Sequence, residues 1–289
     1  MLIKRNLQLF FRDRANVFFS LLAVLIIIGL YVLFLGDSME QTLRAQSGAD
    51  SDKAGIVMAS IILAGMVSVT SVTSSLGAVG VSISDKGGAA KDFLTSPVSR
   101  WKITLSYMLG SAAVGLIMTM AALLAVLAYI LLCGGAMPDA AGLFNLLITV
   151  MLSVLCGNSI MFFISLFIKS LNAFVALSTV TGTLIGFLMG IYIPIGQLPG
   201  AVQWVIRCFP MTHSASMFKQ ILADGELAVL FRGAPLGTLD AFRETFGVIL
   251  SYGNMVSSFW FSAAVLALTT VLFYVASLLF SYIRISNRN

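Results

Sequence analysis

Long stretches of this chain carry no charged residue at all, among them Ile103 to Pro138 and Ser170 to Ile206. A hydrocarbon core about 30 Å thick is crossed by roughly 20 apolar residues in a helix, and each of these stretches exceeds that. The chain therefore reads as an all-α, polytopic membrane protein. Hydrophobic residues make up 59% and charged ones 10% of its 289 residues. A soluble domain carries about 25% charged residues, so a water-soluble fold is excluded.

Six helical spans account for the apolar segments: 17–35, 55–82, 103–132, 142–168, 171–193 and 256–282. Loop charge orients them. The loop from Gly36 to Lys53 holds Asp37, Glu40, Asp50 and Asp52 against Arg44 and Lys53, whereas the loop from Asp85 to Lys102 holds Lys86, Lys91, Arg100 and Lys102. By the positive-inside rule the first is external and the second cytoplasmic. Alternation then puts Asp139 and the long 194–255 segment outside, and Lys169, Arg284, Arg288 and both termini inside. The inner face collects 11 Lys and Arg against 3 Asp, the outer face 6 against 9 acids. This bias accounts for the formal charge of +5 without a nucleic-acid partner.

Residues 1–15 form an amphipathic segment, with Ile3, Leu7, Phe10 and Phe11 on one helical face and Lys4, Arg5, Gln8 and Arg12 on the other. It is expected as an interfacial helix at the inner leaflet, either touching a partner or anchoring to lipid. No small-residue cleavage site follows it, so the first span is expected to be uncleaved. Cys133, Cys156 and Cys208 show no repeated spacing and no companion histidines, which indicates neither a disulfide framework nor a metal site.

No acidic or basic side chain falls inside the six spans, which disfavours proton-coupled transport, because that needs a buried titratable group. Sodium can be held by carbonyls and hydroxyls alone, so an ion-coupled or facilitative carrier stays open, as does a non-transporting scaffold. The chain also lacks the G-x-x-x-x-G-K-[ST] cradle for nucleotide phosphates and is not expected to hydrolyse ATP. The lone histidine, His213, has no Ser or Cys partner at a recognised spacing and is expected to be structural. No catalytic residue is assigned.

Two segments carry a family resemblance. The inner loop reads Asp85-Lys86-Gly87-Gly88-Ala89-Ala90-Lys91-Asp92-Phe93-Leu94-Thr95-Ser96-Pro97-Val98-Ser99-Arg100. It resembles the loop after the second span of type 2 ATP-binding-cassette (ABC) exporter permeases, with Asp85 and Asp92 where glutamates are usual. The second segment, Gly190-Ile191-Tyr192-Ile193-Pro194 through Gln197-Leu198-Pro199, Trp204-Val205-Ile206 and Phe209-Pro210-Met211-Thr212-His213, resembles the external, re-entrant part of the same family. Its prolines suit helix breaks at membrane depth, tolerated where the backbone is buried in protein.

The resemblance implies that residues 1–289 form a single transmembrane domain, and that this permease subunit works as a homodimer or heterodimer in a bacterial plasma membrane. Each of its two subunits would dock on one of two cytoplasmic ABC ATPase subunits, which consume Mg-ATP while this chain binds no cofactor. It also implies export by alternating access. Asp85, Lys86, Lys91, Asp92, Phe93, Leu94 and Arg100 then become the ATPase-coupling residues, within a coupling loop over 85–102.

Small residues recur at helical spacing on two spans. On the second span, Ala64, Ser68, Ser71, Ser75, Ala78 and Ser82 fall on one face, and the fifth adds Asn172, Ala176, Thr179, Thr183, Gly186 and Gly190. Such a stripe can line a wet pathway or let helices approach closely. Ser68, Ser71, Ser75, Asn172, Thr179 and Thr183 are the candidates for a substrate pathway. Gly182, Gly186 and Gly190 are the candidates for helix or subunit contact. A charge-free path of this kind suits amphipathic or hydrophobic cargo: a drug or peptide antibiotic in the first place, a lipid-linked glycan in the second.

Overall fold

The computed structural model describes residues 2–14, 17–18, 29, 36–47, 53–85, 100–253 and 255–286. Most of the expected first span and residues 86–99 lie outside this set. Among the described residues five helices are long and apolar enough to cross a membrane: α3 (Ala54–Asp85), α4 (Arg100–Leu132), α5 (Ala140–Ser165), α6 (Leu171–Leu188) and α11 (Phe259–Ser286). They coincide with spans two to six to within a few residues. Local chemistry sets several of their ends. The Asp139 carboxylate accepts a 2.7 Å bond from Gly142 N at the start of α5, and Ser170 Oγ caps α6 through Ala173 N. Gly190, at φ +61°, turns the chain after α6, so this helix stops short of the expected 193.

Helix α3 is the axis of the molecule. Its apolar window is 89% buried, against 17% for α6 and for α11, because α4, α5, α6 and a short helix described below surround it. Gly115 and Gly157 bring α4 and α5 close to it, since a methyl group at Gly115 would meet Ser75 Oγ and Val154, and one at Gly157 would meet Val72. The main apolar core forms around Met58, Leu63, Met66 and Val72 of α3, Val126 of α4, and Val150 and Val154 of α5.

The remaining elements gather at the two ends of this bundle. At one end α1 (Leu2–Arg12) lies across α3 and α4, beside Asp85 and the start of α4. At the other end α2 (Gly36–Ser47) packs on α3, and the 194–255 segment folds into a 3-10 turn (Ile195–Gln197) followed by four short helices. These are α7 (Gly200–Cys208), α8 (Pro210–Leu222), α9 (Asp224–Leu230) and α10 (Thr238–Thr245). An antiparallel hairpin of β1 (Ser251–Tyr252) and β2 (Met255–Val256) closes the segment, with Ser251 opposite Val256. Helix α10 also touches α2, and Ala136 N donates to Glu226 of α9 at 2.9 Å. The segments expected outside thus meet at one end. Helix α1 and the end of α3 share the other, called the basic end below.

Candidate functional site

At the basic end, Arg5 of α1 grips Asp85, the last residue of α3, with both guanidinium nitrogens, at 2.8 and 3.0 Å. Tyr107 of α4 donates its hydroxyl to the same carboxylate at 2.6 Å. Of the expected coupling residues, Asp85 is thus held inside the protein, and the Arg100 backbone opens α4. Lys86, Lys91, Asp92, Phe93 and Leu94 lie outside the described residues. Helix α1 docks through Asn6 and Phe10, both buried, while Ile3, Leu9 and Phe11 stay more than a third exposed. Its buried face is therefore not the whole apolar face read from the sequence, because the polar Asn6 bonds to Ser106 O of α4.

The hydroxyl stripe of α3 is not open to a pathway within this subunit. Ser68, Ser71 and Ser75 are fully buried. Ser68 donates to Ser214 of α8 at 2.8 Å, Ser214 to Ser153 of α5 at 2.7 Å, and Ser153 shares a 2.6 Å bond with Ser71. Four serines thereby tie three helices together. Among the described residues, Ser75 Oγ and Thr119 Oγ1 are buried without a hydrogen-bond partner.

Asn172, Thr179 and Thr183 lie instead on the open face of α6, where the two threonine hydroxyls turn back onto their own helix. The α3 and α6 candidates therefore occupy separate places. The glycine series divides too. A side chain at Gly182 would meet open space, at Gly186 the ring of Tyr192, and at Gly190 the side chain of Ile195. Only Gly182 leaves its backbone accessible to another helix.

Helix α8 lies where the resemblance implies short re-entrant helices, and what sequence reasoning missed is its set of contacts. At 1.5 Å per residue, Ser68 lies about 21 Å from one end of α3 and about 26 Å from the other. Ser153 likewise sits near the middle of α5, so the first turn of α8 reaches half-way along helices of membrane length. Every residue from Met211 to Lys219 is buried. Thr212 Oγ1 donates to Leu188 O at the end of α6, and Ser216 and Gln220 donate to Val248 O.

His213 is sandwiched rather than reactive. The single proton of Tyr252 goes to Arg207 O, so His213 Nε2 donates to the Tyr252 oxygen at 2.9 Å and Nδ1 accepts from Ser262 of α11 at 3.1 Å. Burial lowers its pKa to about 4 and keeps the ring neutral. Lys219 is the larger surprise. It is 1% exposed, its amine donates to Phe246 O at 2.7 Å, and its stem lies near Gly65 of α3. No carboxylate among the described residues pairs with it, and burial alone pushes its pKa down to about 7. A charged residue type absent from the six expected spans is thus packed against them by a short helix of the 194–255 segment.

A cleft of about 500 Å³ opens beside α8, between Asp139 and Asn145 of the α5 entry, Gln220, Asp224, Arg243 and Phe259. Its one arginine is engaged by Asp224, at 2.7 and 2.9 Å, and by Asp240 at 3.1 Å. With its guanidinium so occupied, the cleft presents no unpaired cation.

A deep polar wedge inside a bundle of charge-free spans, with a basic loop root at the far end, fits the resemblance drawn from the two motifs. The family model described as ABC-2 type transporter matches residues 1–223, which include both motifs, α1 and α8. The chain belongs to the ABC-2 type transporter family. It is thus a multi-pass permease subunit of an ABC transporter and not itself a catalytic domain, and membership of this family implies an ABC ATPase partner. No curated protein matches the chain. The permease's wedge helix carries an apolar period that went unread, Met211, Ala215, Phe218 and Leu222 at steps of three and four, all of them buried. A second signal is the run of small and hydroxylated residues Thr212, Ser214, Ala215 and Ser216, which suits close helix packing.

Proposed function

We propose that this permease exports amphipathic or hydrophobic cargo across a bacterial plasma membrane by alternating access, as a dimer with a second copy or a related subunit. A drug or peptide antibiotic is the favoured cargo, a lipid-linked glycan the next. Two cytoplasmic ABC ATPase subunits bind the basic end through the 85–102 loop and consume Mg-ATP. Phe93 and Leu94 fill an apolar groove of the ATPase, flanked by Lys86, Lys91, Asp92 and Arg100. The exposed face of α6, with Asn172, Thr179, Thr183 and Gly182, lines the path between the two subunits. Segment 194–255 faces the outside as a re-entrant lid.

One observation carries this reading: α3 joins the two working ends. It leaves the coupling loop at Asp85, runs buried through the bundle, and bonds at mid-length through Ser68 to Ser214 of α8. A push on the loop therefore reaches the wedge at the opposite end through one rigid, close-packed element.

The test is co-purification of the tagged chain from its native membrane, followed by reconstitution and an assay of ATP-driven movement of a fluorescent amphipathic cation. Vanadate-sensitive ATP turnover should accompany the chain. Asp92→Ala with Phe93→Ala should cut ATP-dependent transport at least tenfold while the permease still folds. Transport that persists without any ATPase, driven by an ion gradient, would replace this reading with a secondary carrier.

A further inference from the structure

We infer that Arg5, Asp85 and Tyr107 are positioning residues that join α1 to the root of the coupling loop, so that α1, the end of α3 and the start of α4 move as one body when the ATPase acts. This rests on the reading of 85–102 as the coupling segment. Asp85 is both the last residue of α3 and the first of that segment, and Tyr107 lies two turns into α4, which starts within it at Arg100. The Arg5 guanidinium and the Tyr107 hydroxyl together occupy both carboxylate oxygens, at 2.6 to 3.0 Å, and the Asp85 side chain is only 12% exposed. Three of the roughly four acceptor sites of the carboxylate are thus taken by α1 and α4. Asp85 ties the exit of the loop to its re-entry and both to α1.

Packing on the same face of α1 extends the joint. Asn6 Nδ2 reaches Ser106 O at 3.4 Å, and Gly110 leaves the space that Asn6 fills, since a methyl group there would stand 3.0 Å from its Cβ. One turn on, Phe10 is 1% exposed among Ala78 of α3 and Val114 and Met118 of α4. Arg5, Asn6 and Phe10 thus fasten one side of α1 to both helices that flank the loop, while Lys4 and Arg12 stay exposed on α1 and Arg14 just beyond it. The arrangement makes α1 part of the moving body and not a separate float on the lipid surface.

Four variants of the full chain test this in the complex purified with its native ATPase: Arg5→Gln, Asp85→Asn, Tyr107→Phe, and the swap Arg5→Asp with Asp85→Arg. ATP turnover per retained ATPase is read with and without the permease, alongside the amount of ATPase retained. Arg5→Gln and Asp85→Asn should each lose permease-dependent control of turnover by about three- to tenfold, Tyr107→Phe by less. All should retain as much ATPase as the unsubstituted chain, and the swap should restore control to within about twofold. A merely structural bond would lower the yield of folded permease and leave turnover per complex unchanged, which would overturn the inference. Loss of ATPase retention on Asp85→Asn but not on Arg5→Gln would also overturn it, by making Asp85 a direct contact. An unsubstituted chain that retains no ATPase would instead sink the coupling reading itself.

Discussion

Helices α3 and α6 carry the same kind of sequence, small and hydroxylated residues at steps of three and four, yet they end in opposite surroundings. The stripe of α3 is buried inside the subunit and bonded to α5 and α8, whereas that of α6 faces outward, its hydroxyls returned to its own backbone. Periodicity therefore marks a face without saying what covers it. In α3 the small residues let helices close up, and their hydroxyls are joined across the seam. In α6 they leave a smooth flank on the open side of the subunit.

The largest break in this contrast should come from size. Ser71→Leu drives a bulky side chain into the α3–α5 seam and is expected to cost about 3 kcal/mol or prevent folding, while Thr179→Leu on α6 should change stability by less than about 0.5 kcal/mol. Thermal unfolding of the purified protein in detergent separates the two.

The joint between α8 and its neighbours offers a second lever. With the Lys219 pKa lowered to about 7 from 10.5, the folded protein holds the amine neutral above about pH 7, whereas the unfolded chain keeps it protonated up to about 10.5. Unfolding takes up a proton in that window. Stability should therefore rise between pH 7 and 10.5, by at most about 1.4 kcal/mol per pH unit, and flatten below pH 7. Lys219→Met should remove the rise; a slope that survives this substitution would assign it to another group.

Hydroxyl deletion gives a finer cut within α3. Ser71→Ala breaks the serine chain and should cost about 1 kcal/mol, whereas Ser75→Ala, one turn away, removes a hydroxyl that has no partner and should be neutral or slightly stabilising. Equal effects at the two positions would mean that the chain of serines adds nothing. The smallest stability effect belongs to Thr183→Val on α6. It should leave unfolding unchanged but shift cargo preference in the transport assay if that face lines the path.

Five spans were legible in the sequence because each is a long apolar run, while the caps that set their exact starts, Asp139 and Ser170, were not read from it. Nor was the early stop of α6, because a single left-handed glycine, Gly190, ends the helix inside an apolar run. The burial of helix α8 escaped for the opposite reason. Its residues are polar, and only contacts remote in sequence, Ser214 with Ser68 and Ser153, or Lys219 with Phe246, make that burial tolerable. The 85–102 segment carries a family motif, but the partner of Asp85 could not be read from the sequence, since Arg5 stands 80 residues away and no local pattern links them.

The wedge helix also constrains how the molecule can be made. Taken alone, α8 is too polar to enter hydrocarbon, and one of its partners, Ser262, belongs to a helix synthesised after it. The seat of α8 is therefore complete only once α11 has been delivered. Closure of this end of the bundle is then a late event in biogenesis, and a chain halted before Phe259 would leave His213 without its Ser262 partner.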